Sequence, residues 1–463
     1  MAKYWDGQRV LIIGAARQGL ALARYLINQG AQVVINDQQP AGSAGMKAAQ
    51  SALSSSMVRW VLGGHPFDAL DGIDLVCISG GVPLNLPLIV EAQRRGLPLS
   101  NDSQIFMEAV PCPTIGITGS AGKTTTTTLV GRIAGQAPSG RRRIWVGGNI
   151  GNPLINSLEE MRKGDLVVME LSSFQLEIMT HSPHIAAVLN LTPNHLDRHE
   201  TMEAYRAAKS RILEFQDDRD GAVLNREDPG AWSLLPLVHG RLVTFGLRKP
   251  EPGLEGSYLD GDRLVYTDGE EIVELMPVNA VSLRGRHNLL NVLAAGAIAC
   301  AAGLPATAVR QGVEGFAGVP HRLEFVRTLR GAHWYNDSIA TAPERAIAAM
   351  QSFQEPLVLL AGGRDKKLPW ENFARLVHER VDHLILFGEA ADLISAALGQ
   401  LQPGERPYSL NRCSCLQEAV QAAAEVTQPG DVVLLAPGGT SFDEFRDFEE
   451  RGERYKRWVM ELS

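Results

Sequence analysis

Gly119-Ser120-Ala121-Gly122-Lys123-Thr124 has the composition of a loop that holds a nucleotide triphosphate. Glycines let backbone N–H groups close on phosphate oxygens, a lysine neutralises their charge, and a threonine hydroxyl can ligate Mg²⁺. The setting agrees. Thr114-Ile115-Gly116-Ile117-Thr118 reads as an apolar strand before the loop, and Thr125 to Val130 as the opening of a helix after it. The strict long pattern fails, because counting back over four residues from Gly122 lands on Ile117. The shorter Gly-x-x-Gly-Lys-Thr form remains.

Other residues have types suited to the same chemistry. Glu170 closes the apolar run Leu166-Val167-Val168-Met169. An acid at a strand end near a phosphate loop is the expected partner of Mg²⁺, which takes hard oxygen ligands; a capping carboxylate is the alternative. His195 follows a further strand, in Thr192-Pro193-Asn194-His195-Leu196-Asp197, and shares that rim. Lys209, within Ala204 to Ile212, reads by composition as a solvated helical lysine, and Arg141-Arg142-Arg143 as an exposed basic loop. A second glycine turn, Gly14-Ala15-Ala16-Arg17-Gln18-Gly19, follows the strand Arg9 to Ile13. Asp37 stands about twenty residues on, where a ribose-binding acid belongs. Ala occupies the middle glycine position, which favours a nucleotide held through its pyrophosphate over a redox dinucleotide. A dinucleotide-dependent oxidoreductase and a tight turn with no ligand are the alternatives.

These residues need elements to position them. A length of 463 residues leads to an expectation of about three domains. The net charge of -8 argues against a general nucleic-acid binder but not against a local basic pocket. The five cysteines form no CxxC pair, so buried reduced thiols are expected rather than a metal site. No signal peptide is apparent, and Val292 to Leu304, the longest apolar stretch, is too short to span a bilayer and reads as a buried helix. A cytoplasmic protein without membrane partners is expected. Strands alternate with helices in three blocks, and the polar stretch from Lys249 to Glu271 reads as hairpins and loops. The fold class is therefore α/β, with parallel, doubly wound sheets. Ligands of such sheets bind at the carboxyl ends of the strands. That rule singles out Asp37, Gly81, Glu170, His195, Asp337, Lys366 and Ser441.

An ordered series of motifs resembles the Mur ligases, the ATP-dependent amino-acid-adding enzymes of peptidoglycan synthesis. It comprises residues 116–124, Gly-Gly-Asn-Ile-Gly (147–151), Glu-Leu-Ser-Ser-Phe-Gln-Leu-Glu (170–177), Asn-His-Leu-Asp-Arg-His (194–199) and Tyr-Arg-Ala-Ala-Lys (205–209). It continues through Gly-Arg-His-Asn-x-x-Asn (285–291), Pro-His-Arg-Leu-Glu (320–324), Asn-Asp-Ser-x-Ala-Thr (336–341), Gly-Gly-Arg-Asp-Lys (362–366) and Thr-Ser-Phe-Asp-Glu-Phe (440–445). The resemblance covers essentially the whole chain, and Glu-Leu-Ser-Ser-Phe-Gln-Leu points to a glutamate-adding member. It implies three domains: a Rossmann-like uridine-nucleotide domain (1–106), a central P-loop ATPase-like domain with a mainly parallel sheet (107–318), and a Rossmann-like amino-acid domain (319–463). It implies a monomer that adds D-glutamate to UDP-N-acetylmuramoyl-L-alanine through an acyl phosphate, with ATP and two Mg²⁺ ions.

The resemblance also implies residue roles. Gly119 to Thr125 would hold the ATP phosphates, Asn288 and Asn291 the adenine, and His321 and Arg322 a further part of ATP. Thr124 and Glu170 would serve one Mg²⁺. His195 and Lys209 would serve the other, with Lys209 carbamylated by CO₂, so that a cation becomes an anionic ligand. Lys123, Glu170, His195 and Lys209 would be the catalytic set. Gly14, Ala15, Ala16, Arg17, Gln18, Asp37, Gln38 and Gly81 would hold the uridine diphosphate end, and Asn149, Ser172 and His195 the muramoyl side. Thr341, Lys366, Ser441 and Phe448 would meet glutamate. Ile339 stands where many members carry Lys, Gly438-Gly439-Thr440 replaces a commoner Ala-Cys-Ala, and Gly80 stands where Pro is frequent. A related ligase that adds L-glutamate is therefore an alternative.

Overall fold

Three short apolar runs, Arg9–Ile13, Thr114–Thr118 and Leu357–Gly362, are buried along almost their whole length and form interior strands of three separate sheets. Strands covered on both faces need such unbroken apolar runs, which is what helix-flanked parallel sheets provide. The computed structural model describes the chain apart from residues 1–4, 54–56, 139–141, 194–195, 284, 367 and 403, and the side chains of 196–197. The expectations for Arg141, Asn194 and His195 fall outside the described residues.

The first sheet contains β1 (Arg9–Ile13), β2 (Gln32–Asp37), β3 (Val58–Leu62), β4 (Leu75–Ile78) and β5 (Leu99–Ser100), all parallel, in the order β3-β2-β1-β4-β5. Ile13 lies opposite Asn36 and Ile78. That register brings the Gly14 turn, Asp37 and Ser79 to one edge.

The second sheet contains β6 (Thr114–Thr118), β7 (Ile144–Gly148), β8 (Leu166–Glu170), β9 (Ile185–Val188), β10 (Gly221–Asn225), β11 (Arg241–Phe245), β12 (Glu255–Asp260), β13 (Arg263–Thr267) and β14 (Ile272–Pro277). Their order is β14-β13-β12-β11-β10-β9-β6-β8-β7. It is parallel from β7 to β12, and β13 and β14 close the far edge antiparallel, which places a hairpin in the polar Lys249 to Glu271 stretch. Helix Lys123–Gln136 packs against helices Arg286–Ala301 and Ala306–Val313. Every residue from Asn291 to Ala299 of helix Arg286–Ala301 is buried, as expected of a helix apolar on all sides.

The third sheet contains β15 (Glu324–Leu329), β16 (Ala332–Asn336), β17 (Leu357–Gly362), β18 (Val381–Phe387), β19 (Ser409–Cys413) and β20 (Val432–Gly438), in the order β15-β16-β20-β17-β18-β19. Only β15 runs antiparallel to its neighbour. The α/β class and the mainly parallel sheets agree with the sequence reading. The chain divides into two compact units, Met1–Phe316 and Ala317–Ser463, so the first and second sheets share one unit.

A polar seam holds those two sheets together. Asn101 Nδ2 donates to the Gln175 carbonyl at 2.8 Å, Gln175 Nε2 to Ser103 Oγ at 2.8 Å, and Thr180 N–H to Gln104 Oε1 at 2.8 Å. Among the described residues no helix is long and apolar enough to cross a membrane. All five cysteines are free thiols, and Cys77 and Cys112 are buried.

Candidate active site

The loop after β6 folds as its composition requires. Gly122 sits at φ +82°, a left-handed conformation, and a side chain there would run into Asn291 Oδ1. Helix Lys123–Gln136 follows directly, with no side-chain cap and no acid in its first turn. The first N–H groups of any helix lack intrahelical partners, so this terminus favours an anion. Asn190 braces the loop, accepting from Ala121 N–H at 2.8 Å and donating to its carbonyl at 3.1 Å. Ser120 Oγ lies 3.0 Å from the Tyr205 hydroxyl. Lys123 Nζ folds back on the Gly119 carbonyl at 3.0 Å.

Glu170, at the end of β8, meets this loop. Its Oε2 accepts from Thr124 Oγ1 at 2.8 Å and its Oε1 from Asn149 Nδ2 at 3.0 Å. The carboxylate is only 2% exposed. Parallel pairing of β6 with β8 places Ile117 opposite Glu170, so the sheet itself delivers the acid to the loop. Ser172, two residues on, caps helix Ser173–Leu176 in a reciprocal pair with Gln175.

Lys209 is not a solvated helical lysine. It is 1% exposed on helix Met202–Glu214, and its Nζ donates to Thr118 Oγ1 at 3.0 Å. Burial and the nearby Lys123 charge hold its pKa well below the ordinary value, with Glu170 opposing them. A buried amine driven towards its neutral form is a nucleophile, which is what CO₂ capture requires.

Asn291 lies against Gly122 and donates to Asn288 Oδ1 at 3.1 Å, so Asn291 meets the loop directly and Asn288 is tied to it through Asn291.

In the first sheet, Gly14 takes φ +99°, and Asp37 Oδ2 accepts from Ala15 N–H at 2.8 Å while its Oδ1 accepts from Gln39 N–H at 2.9 Å. Helix Arg17–Asn28 begins immediately after Ala16. Ala16, Arg17, Gln38 and Gly81 are exposed at this strand-end rim, and Gln18 is half-buried.

The Ala317–Ser463 unit carries the remaining expected residues. Lys366 Nζ donates to Thr341 Oγ1 at 3.3 Å, and Ser441 is buried. Burial and the charges of Arg345 and Arg451 lower the Lys366 pKa. The Phe448 carbonyl accepts from Ser338 Oγ at 2.8 Å, and the Phe448 ring meets His321 edge-on. Asn336 Nδ2 lies 3.1 Å from His321 Nδ1, and burial depresses the His321 pKa. Arg322 affects the titration of Asp337, whose carboxyl burial pushes up to about 6. Arg451, fully buried, donates to Ser338 and to the Gly439 carbonyl but leaves Nη1 without a partner. Sequence reasoning missed Arg451, Arg345, Asn190 and Tyr205. The available signal for Arg451 is its spacing, which puts it on the face of helix Phe448–Glu461 that buries Gly452, Tyr455 and Val459.

The donor set fits a magnesium-bound phosphate. A hydroxyl and a carboxylate, both hard oxygen donors, stand together beside a loop that a single Cβ would obstruct. Among the described residues no three His, Cys, Asp or Glu side chains gather to hold a metal ion, so phosphate oxygens and Thr124 would have to complete such a site.

Parallel α/β sheets with a strand-loop-helix phosphate grip define the class: a nucleotide-triphosphate-dependent protein of P-loop type. Family comparison gives the particular group. The Mur ligase middle domain matches residues 117–299, the Mur ligase glutamate ligase domain 321–439, and the MurD-like N-terminal domain 8–100. The chain belongs to the Mur ligase family. It is 42% identical over 456 residues to the UDP-N-acetylmuramoylalanine--D-glutamate ligase of Symbiobacterium thermophilum, covering 98% of each chain. It is 40% identical to the protein of the same name from Pelotomaculum thermopropionicum, covering 100% of this chain and 99% of that one. Among solved structures, the UDP-N-acetylmuramate-alanine ligase MurC of Thermotoga maritima aligns over 98% of this chain and 100% of that one, with TM-score 0.56 and 19% identity. That likeness speaks to the three-domain fold.

Proposed function

We propose that this chain is an ATP-dependent ligase that joins D-glutamate to UDP-N-acetylmuramoyl-L-alanine. The observation that carries the chemistry is the meeting of Thr124 with Glu170 beside Lys123 and the buried Lys209. Full-length similarity to ligases named for D-glutamate supports the substrate, and favours this reading over an L-glutamate ligase or an oxidoreductase.

The work divides along the chain. Residues 1–106 hold the uridine diphosphate end at the Gly14 turn, Asp37, Gln38 and Gly81. Residues 107–318 hold ATP, and residues 319–463 hold glutamate at Thr341, Lys366, Ser441 and Phe448. Asn288 and Asn291 face the adenine, His321 and Arg322 assist ATP, and Asn149 and Ser172 face the muramoyl side. Lys123 and the loop N–H groups neutralise and orient the γ-phosphoryl group for attack by the alanine carboxylate, which becomes an acyl phosphate as ADP leaves. Lys366 and Thr341 hold glutamate so that its neutral amine attacks the acyl carbon and phosphate departs. Thr124 and Glu170 would hold Mg²⁺, and a carbamylated Lys209 with His195 would hold a second ion. Bound there, the metals supply charge neutralisation on the transferred group. In the Lys209 step the neutral amine bonds to the carbon of CO₂ and releases a proton, leaving a carbamate.

The test is phosphate release with ATP, Mg²⁺ and UDP-N-acetylmuramoyl-L-alanine, with D- or L-glutamate added separately. Release with D-glutamate alone is expected. Release with L-glutamate alone reassigns the isomer, and no release with either removes the ligase reading.

A further inference from the structure

An unbroken series of contacts runs from the first sheet's rim to the phosphate loop. Arg198 Nη1 donates to the Gly81 carbonyl, beyond the end of β4, at 3.2 Å. The Arg198 guanidinium carbon stands 4.5 Å from the Phe174 ring centroid. The Phe174 ring stacks on His199 with centroids 5.2 Å apart and planes 4° from parallel. His199 Nε2 lies 2.9 Å from Ser173 Oγ, and its ring centroid is 5.3 Å from that of Tyr205. The Tyr205 hydroxyl in turn reaches Ser120 Oγ at 3.0 Å.

The elements that carry this series are anchored at both ends. Phe174 belongs to the segment that puts Glu170 on Thr124 and Gln175 on Ser103. Arg198 makes no ion pair among the described residues, so no described carboxylate consumes its charge. Glu177, the acid that feels it, has its own carboxyl pushed up by burial. A guanidinium fixed on an aromatic face and bonded to one carbonyl is oriented at small entropic cost.

We propose that Arg198 is a positioning residue. Through Gly81 on one side and the Phe174–His199–Tyr205 stack on the other, it sets the register between the bound sugar nucleotide and the phosphate loop. This inference rests on the reading that Gly81 borders the nucleotide site. A contact path alone does not establish coupling, whereas a double-mutant cycle measures it.

The experiment uses the full-length chain with Arg198→Ala, Arg198→Lys, Phe174→Leu and the Arg198→Ala/Phe174→Leu pair. Each is assayed for kcat, for KM of UDP-N-acetylmuramoyl-L-alanine, and for equilibrium binding of ATP without the sugar nucleotide. Arg198→Ala should raise that KM about tenfold while ATP binding changes less than about twofold, in line with the loss of one cation–π contact and one hydrogen bond. Arg198→Lys should recover part of the loss, and the pair should lose no more than the worse single variant. An unchanged KM in Arg198→Ala, equal weakening of ATP, or additive losses in the pair would overturn the role. Inactivity of the unmodified enzyme with the sugar nucleotide would instead strike the functional reading itself. If Arg198→Ala does not fold, the Lys variant and Phe174→Leu decide the matter by the same split.

Discussion

At Gly14 and again at Gly119 the chain builds a strand, a glycine turn and a helix whose amino end faces the turn, yet the charges around the two turns differ. At the first, Asp37 occupies the turn itself by accepting the Ala15 N–H, and no lysine follows. At the second, the acid is moved off the backbone. Glu170 accepts from the Thr124 hydroxyl, and Lys123 adds positive charge at the start of the helix. A turn stabilised by its own acid can grip a ligand through shape and a few N–H groups. A turn whose acid sits on a hydroxyl can accept a metal and a heavily charged phosphate. The difference between a holding turn and a reacting turn lies in where one carboxylate is placed.

The largest effect should come from removing the cation of the reacting turn. Lys123→Ala is expected to lower kcat by about a hundredfold to a thousandfold, the usual consequence of deleting one preorganised charge stabiliser. Binding of the sugar nucleotide should stay near the unmodified value. Full turnover in this variant, measured as phosphate release, would erase the distinction between the turns.

Gly122→Ala attacks the same turn through its backbone. At φ +82° an alanine is strained, and its Cβ collides with Asn291. Strain of about 1–3 kcal/mol at such positions should appear as a KM for ATP raised roughly tenfold or more. An unaltered KM would show that Asn291 does not need to lie against the loop.

Asp37→Asn should break the comparison from the other side. It removes a charge-assisted acceptor for two N–H groups, worth about 1.5–3 kcal/mol for hydrogen bonds of this kind. Binding of UDP-N-acetylmuramoyl-L-alanine is expected to weaken by about tenfold while ATP binding holds, as titration calorimetry with each ligand would show. Loss of ATP binding would mean that the two turns are not separable.

Much of this contrast is legible in the sequence, because interior strands carry unbroken apolar runs. β1, β6 and β17 announce themselves, and the loops after β1 and β6 follow from them. The edges do not. β7 and β15 are mostly half-buried or exposed and carry no comparable buried run. The helix after the phosphate loop also begins earlier than composition suggests, at Lys123 rather than Thr125, because the turn closes straight into it. Lys209 is the sharpest case. Composition reads it as solvated, but its spacing from Tyr205, Ala208, Ile212 and Leu213 places it on the buried face of helix Met202–Glu214, where it faces Thr118 and not water. Arg451 stands in the same way on the face of Gly452, Tyr455 and Val459.

The last effect is on stability rather than turnover and concerns the support beneath the holding turn. Asp102 lies with Gln18, Gly19 and Ser79 around a narrow crevice, and its Oδ1 has no hydrogen-bond partner. Burial pushes its carboxyl from the usual 3.8 up to about 6, against two backbone N–H groups that lower it. The native state therefore binds this proton more tightly than the unfolded chain does. The stability this contributes is fully present below about pH 4 and is lost as pH rises through about 6. Asp102→Asn keeps the shape and abolishes the titration. It should unfold at higher urea than the unmodified chain at pH 8, by up to about 3 kcal/mol, with the gap closing near pH 4. A gap that does not change with pH would mean that Asp102 titrates in the folded protein as it does in the unfolded chain, and that burial beneath the holding turn costs its charged form nothing.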